Sequence, residues 1–325
     1  MIYYLSFIIS LVIMLVVTPK LTRLAHKINY TEKPDPGNER KIHKESKAYL
    51  AAVGIFFTFW GTYFIFARDI SPKSIIVFLC SFIIWGVGMV DDWFKINGRD
   101  LSAFPKFLVQ VAACVILVWF TNIRFFGITN PFNGAYVLFP EWIQFLVSVL
   151  WLFGVTTVIN FSDGLDGLAG GISCISAGTL FIVSMTKGNQ LLGIMAITLV
   201  GVCLGYLKYN KYPAKILMGD AGATFLGFIL AIISLEGAFK QATAISIFIP
   251  ILALGLPIFD NIFVVFKRIK EGKRIYIGDS SQIHYRLLNM GLTQKQTVYV
   301  LYLVCICLNL SAIILLLIGK NNVNF

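Results

Sequence analysis

Five short stretches of this chain set acids or bases beside glycine at the borders of long apolar runs. In "GMVDDWFKINGRD", Asp91 and Asp92 stand side by side where one such run ends. In "NFSDGLDGLAGG", Asn160, Asp163 and Asp166 recur every three residues, and a helical chain would put them on one face. Gly164 and Gly167 lie between them and would let backbone approach a ligand closely. "MGDAGATFLGF" places Asp220 at the start of another apolar run. Bases complete the set: Lys41 and His43 in "NERKIHKESK", His284 and Arg286 in "IGDSSQIHYRLLNMGLTQKQTV". Carboxylate pairs suit Mg²⁺, which takes hard oxygen ligands and shares its shell with substrate phosphates. Lys, Arg and His hold the remaining anionic oxygens. This is the equipment of phosphoryl transfer. No Walker-type glycine loop occurs, which excludes an ATPase domain of that kind.

Each stretch also has a plainer reading. An Asp at a helix start caps it and meets its dipole favourably, which would suffice for Asp220. Gly and Asp are ordinary turn residues. The basic stretch 38–47 would serve as an electrostatic anchor to anionic lipid. A lone loop histidine is usually solvated. What favours chemistry is the gathering of acids at one membrane face, where they repel one another unless a cation sits among them.

The elements that must position these residues are membrane spans. Of 325 residues 58% are hydrophobic and 13% charged, with mean hydropathy +0.80, whereas a soluble domain carries roughly 25% charge. Ten apolar runs approach the ~20 residues that cross a bilayer. They lie near 2–18, 49–67, 73–90, 104–121, 140–159, 168–186, 190–207, 217–235, 243–266 and 297–318. The expected fold is an all-α polytopic membrane protein of about ten transmembrane helices, one domain over 1–325. Gly167/Gly171 and Gly201/Gly205 have the spacing of close helix packing. Asp260, in "LGLPIFDNIFVVF", is the one acid well inside a run.

Lys and Arg set the orientation. Of 27, 21 fall in 19–48, 91–106, 208–215 and 267–296, the loops after odd-numbered runs. Those loops are therefore expected to be cytoplasmic, together with 160–167, with the active site at that face and both termini outside. The net charge of +11 then reflects topology, and no nucleic-acid partner is expected. The first run lacks a basic region before it and is followed by "PKLTRLAHK", the pattern of a retained span. Six cysteines lie in apolar stretches without CxxC spacing, so neither a zinc site nor a disulfide framework is signalled.

Taken in order, "VDDW", "NFSDGLDGLAGG", "MGDAGATFLGF", "LPIFD" and "IHYRLL" resemble the polyprenyl-phosphate N-acetylhexosamine-1-phosphate transferase family over nearly the whole chain. The resemblance implies transfer of a sugar-1-phosphate, GlcNAc-1-phosphate first, from a UDP-sugar to undecaprenyl phosphate, with release of UMP. It implies Mg²⁺, with Mn²⁺ as the alternative ion, and a bacterial cytoplasmic membrane. It is compatible with a homodimer. By motif, Asp91 and Asp92 match the family's catalytic pair, and Asp220 matches its metal ligand with Asn160 assisting. Asp163, Asp166, Lys41, His43, His284 and Arg286 fall to substrate binding. Gln282 and Tyr285 stand where the family's last loop has histidines, Ser46, Ala48, Ala51 and Ala52 replace a Pro-x-Pro and Gly-Gly pattern, and Thr157 replaces a common Asn.

Alternatives remain from other readings of the same residues. A phospho-MurNAc-pentapeptide transferase would use the same motifs. A CDP-alcohol phosphotransferase needs an Ala-Arg after "DGLDGL" and further spaced acids, which this chain lacks. A transporter would line an ion path with its acids, but they gather at one face and no inverted repeat is evident.

Overall fold

In a bilayer every backbone polar group must be satisfied within the segment, so long apolar stretches become helices. The protein is described here by a computed structural model covering residues 1–32, 46–99, 101–130, 135–238, 247–272 and 281–321. Its helices are α1 (Ile2–Lys27), α2 (Ala51–Ala67), α3 (Pro72–Ile96), α4 (Ala103–Phe120), α5 (Glu141–Phe161) and α6 (Leu168–Thr186). They continue with α7 (Gln190–Asn210), α8 (Gly219–Ala238), α9 (Phe248–Ala253), α10 (Gly255–Lys270), α11 (Ile283–Asn289) and α12 (Gln294–Asn321). Two short antiparallel ladders interrupt the order: β1 (Thr31–Glu32) with β2 (Lys47–Ala48), and β3 (Gly127–Thr129) with β4 (Tyr136–Leu138). The chain is an all-α polytopic membrane protein with these two small additions.

Among the described residues eight helices, α1, α3 to α8 and α12, are long and apolar enough to cross a membrane. The second apolar run is α2, at 17 residues a little shorter. The ninth is not one continuous span. Its described part breaks at Leu254, where α9 ends and α10 begins. Pro257 causes the break: it has no N–H for the Ala253 carbonyl, and its ring crowds that carbonyl. Ser176 on α6 donates its hydroxyl to Ala253 O at 2.6 Å, so the abandoned acceptor is satisfied.

At the centre stands α8. From Ala223 to Ile233 its large side chains are buried, as expected of a helix apolar on every face. It packs against α2, α3, α5, α6, α7 and α9. Two close crossings fix it. A β-carbon on Gly88 of α3 would overlap Ala221 Cα, and one on Gly227 would stand 2.8 Å from Thr156 Cα of α5. The Gly201 and Gly205 pair is also a packing device, admitting Ser10 and Met14 of α1.

The α3–α8 crossing lies within three residues of Asp91 and Asp220, so it sets where those acids meet. Gly88→Val is expected to cost about 1–3 kcal/mol in unfolding of the detergent-solubilised protein, the usual range for overpacking. Gly86→Val is the control, since nothing lies within 4 Å of its added β-carbon; it should stay within about 0.5 kcal/mol of the parent. Equal losses in the two variants would show that the crossing is not tight.

Candidate active site

The site begins with a helix end that another helix caps. Gly219 takes a left-handed φ of +64°, and a β-carbon there would run into Asp92 and Tyr49. Glycine is therefore required for α8 to start at this point. The first amides of α8 need acceptors. Asp92, from α3, supplies both: its Oδ1 accepts from Asp220 N at 2.9 Å and its Oδ2 from Ala221 N at 3.1 Å. Asp92 is 1% exposed, so those two amides carry much of its stabilisation.

Asp91 and Asp220 face each other across two ammonium groups. Lys95 Nζ lies 2.9 Å from Asp91 Oδ2 and 2.8 Å from Asp220 Oδ1. Lys106 Nζ, from the first turn of α4, lies 2.6 Å from each of the same two carboxylates. Asp91, Asp92 and Asp220 each offer an oxygen, and these oxygens lie within 4.8 Å of one another. Such a set of hard oxygen donors fits a divalent cation of the Mg²⁺ type. Asn160 belongs to the face of α5 turned to α8: it follows Thr156, the contact of Gly227, by one helical turn.

The "NFSDGLDGLAGG" stretch is not one helical face. α5 ends at Phe161, residues 162–167 form turns, and α6 starts at Leu168. Asp163 is half-buried there. Burial, and then the charges of Asp220, Asp166 and Glu32, push its carboxyl up to about 8. Asp166 is tied to the protein itself, accepting from Lys47 Nζ at 2.8 and 2.9 Å and from Ala214 N at 2.9 Å. Gly167, at φ +85°, donates its N–H to Asn210 Oδ1 at 2.9 Å and accepts from the Tyr302 hydroxyl at 2.5 Å.

Gly164 of this loop and Gly170 and Gly171 at the start of α6 do not leave room for a ligand in this structure. A β-carbon on Gly164 would overlap the His284 imidazole, one on Gly170 would press on Tyr206, and one on Gly171 would overlap Tyr302. The expected close approach is made by protein side chains instead, because the loop is wedged between α7, α11 and α12.

The basic residues divide. Lys41 and His43 lie outside the described residues. His284 is 1% exposed on α11, and burial pulls its imidazole down to about 4, so it is neutral at pH 7. It packs on Gly164 as a wedge, which differs from the cationic phosphate holder that its sequence context implied. Arg286 is exposed and stacks over Phe263, its guanidinium carbon 4.3 Å from the ring centroid. Among the described residues Lys95 and Lys106 meet Asp91 and Asp220, and Lys47 meets Asp166; motif reading passes over all three. Lys95 was within reach of sequence reasoning, since it follows Asp91 at i+4. Lys106 gave no such signal, because its pairing depends on how α4 packs beside α3.

Asp163 gives a pH prediction. Its folded-state value lies above the ordinary carboxylate value, so the protonated form is favoured by folding. The resulting stability is complete below about pH 4 and is lost as pH rises through about 8. In metal-free detergent solution, Asp163→Asn should match the parent near pH 4 and become progressively more heat-stable than it towards pH 9. A difference that shrinks as pH rises would contradict the raised carboxyl.

The model of glycosyl transferase family 4 matches residues 74–238, which contain Asp91, Asp92, Asn160, Asp163, Asp166 and Asp220. A probable undecaprenyl-phosphate N-acetylglucosaminyl 1-phosphate transferase of Bacillus subtilis is 35% identical over 95% of this chain and 84% of its own length. A phospho-N-acetylmuramoyl-pentapeptide-transferase of Clostridium acetobutylicum is 28% identical over 96% of this chain and 98% of its own. A decaprenyl-phosphate N-acetylglucosaminephosphotransferase of Mycobacterium leprae is 28% identical over 70% of this chain and 61% of its own. The chain belongs to glycosyl transferase family 4, among the membrane transferases that its motifs resemble.

Proposed function

We propose that this protein transfers GlcNAc-1-phosphate from UDP-GlcNAc to undecaprenyl phosphate, releasing UMP and beginning a cell-surface glycopolymer. The observation that carries the reading is the closed group of Asp91, Asp92 and Asp220 with Lys95 and Lys106 at one end of a membrane bundle. The B. subtilis relative bears the matching activity in its name and aligns along 95% of the chain. The more distant pentapeptide transferases support the same chemistry with another sugar.

An apolar groove supports the lipid substrate. It has a volume of about 300 Å³ and runs between α5, at Trp151, Gly154 and Val158, and α10, at Ile258, Ile262 and Phe266. Its α5 wall stops two residues before Asn160. A prenyl chain lying there would bring its phosphate to the acid end of the bundle.

In the reaction, an oxygen of the prenyl phosphate attacks the sugar-bearing phosphorus of the UDP-sugar. One P–O bond forms there while the bond to UMP breaks. A phosphate monoester is largely dianionic at neutral pH, so the attack asks for orientation more than for deprotonation. Asp91, Asp220 and Asn160 would hold a Mg²⁺ ion, which supplies charge neutralisation on the phosphate oxygens. Lys95 and Lys106 hold anionic oxygens beside it. Asp92 fixes the start of α8 and hence Asp220. Asp163 borders the nucleotide-sugar side, in a low-dielectric pocket where fixed charges act strongly. Lysine and arginine concentrate in the loops at this end, so it faces the cytoplasm and both termini face out, in a bacterial cytoplasmic membrane.

The direct test is incubation with undecaprenyl phosphate and a panel of UDP-sugars, with mass analysis of the lipid product and UMP release. GlcNAc-pyrophosphoryl lipid is the expected product, and EDTA should abolish it with recovery on adding Mg²⁺. Asp91→Asn and Asp220→Asn are each expected to lose about 10³-fold in turnover, the scale of removing a main charge-stabilising group. Near-normal rates in Asp220→Asn would overturn the metal assignment, and a MurNAc-pentapeptide product would reassign the sugar. Filling the groove with Gly154→Phe, where an added β-carbon meets nothing within 4 Å, should raise KM for the prenyl phosphate about tenfold. KM for the UDP-sugar should not follow it.

A further inference from the structure

Asp260 is buried in no acid cluster and lines no part of the groove, yet it sits in an otherwise apolar helix face. The groove occupies the side of α10 formed by Ile258, Ile262 and Phe266. Asp260 and Phe263, spaced i, i+3, share the opposite side. From there Asp260 Oδ1 accepts the N–H of Ile283 at 2.9 Å. Ile283 opens α11, whose own N-cap residue, Gln282, makes no side-chain cap bond. The next tether comes one turn later, where Arg286 stacks on Phe263 at 4.3 Å. The charge of Arg286 also acts on Asp260. So α10 holds α11 at two points, both on one face, while α12 packs on α11 as well.

What α11 delivers is His284. Its imidazole is buried and fills the space that a β-carbon on Gly164 would need. Gly164 directly follows Asp163 in the turn segment. Losing the Ile283 bond would leave the first turn of α11 without its acceptor and let the His284 wedge move off the loop.

We propose that Asp260 is a positioning residue: by capping α11 it holds His284 against Gly164 and so fixes the 162–167 loop on the nucleotide-sugar side. The assignment of that side to the UDP-sugar rests on the function proposed above. Asp260 touches no reacting atom in this scheme. It places α10 between two substrates, with the prenyl groove on one face and the brace for the sugar-nucleotide loop on the other.

The test uses the full-length protein in detergent with Asp260→Leu, which keeps the bulk and loses the acceptor, and Asp260→Asn, which keeps an acceptor oxygen. Hydrogen exchange of the amides in 283–288 should speed up about tenfold in the Leu variant, the worth of one charge-assisted hydrogen bond. It should stay near the parent rate in the Asn variant. KM for UDP-GlcNAc should rise about tenfold in the Leu variant on the same scale, while KM for undecaprenyl phosphate stays within about twofold and the Asn variant is close to the parent. Unchanged exchange in 283–288, or equal rises in both KM values, would overturn the proposal. Asp260→Ala, which needs no extra space, carries the same measurements if the Leu variant does not fold. If the parent protein turns over no UDP-sugar at all, the proposed function fails, and the exchange result alone still decides whether Asp260 holds α11.

Discussion

The rest of the site depends on the bond between a carboxylate on one helix and the start of another. Asp92 accepts from the amides of Asp220 and Ala221 in the first turn of α8, and Gly88, one turn back along α3, lets the two helices touch. Capping satisfies amides that would otherwise be buried bare, and the positive end of the α8 dipole stabilises the carboxylate. Because Asp91 precedes the capping residue and Asp220 supplies one of the capped amides, the same contact brings those two acids together. Burying three carboxylates in one place is unfavourable unless counter-charges come with them. Lys95 and Lys106 provide these within the chain itself.

A second layer holds the glycine-rich loop from outside. Asn210 takes the N–H of Gly167 and donates to Ile216 O, so α7 joins the loop to the segment that leads into α8. Tyr302 reaches in from α12, His284 from α11, and Lys47 from the β1–β2 ladder. The ladder is itself bonded to the residues before α8, with Leu217 N donating to Ala48 O at 2.8 Å. A turn segment carrying two acids has little packing of its own. Its shape is imposed by neighbours that are distant in sequence, which is why elements as late as α12 bear on it.

The acids are legible in the sequence because charge at the edge of an apolar run is costly and so stands out. The apolar runs give the helices for the same reason, and the family motifs order them. What cannot be read there is pairing through space. The bond from Asp92 to Ala221 spans 129 positions and leaves no local pattern. Lys106 looks like any basic residue in a loop-facing turn. The glycines announce close approach without saying whether a substrate or a side chain approaches, and here the answer is Tyr206, His284 and Tyr302. The ninth run reads as one continuous span, and its break at Leu254, the redirected α10 and the appended α11 follow only from the structure, with the contacts of Ser176 and Asp260.

Charge counting explains why such a site calls for a cation from outside. Asp91, Asp92 and Asp220 set three carboxyl groups against the two ammonium groups of Lys95 and Lys106. Left alone, this group is nearly balanced and can persist at the end of a bundle. A prenyl phosphate adds about −1.5 to −2 at neutral pH, and the pyrophosphate of a nucleotide sugar adds more. Two anions cannot be brought to reacting distance in a low-dielectric pocket with no surplus of positive charge, since their repulsion there is several times its value in water. The lysines cannot meet that demand while both remain engaged by Asp91 and Asp220. A divalent ion taken up by the carboxylates would answer it twice, adding positive charge and competing for the oxygens that hold the ammonium groups. On this argument, acids and lysines in one ring are what a transferase needs to stay folded without substrate and still accept two polyanions.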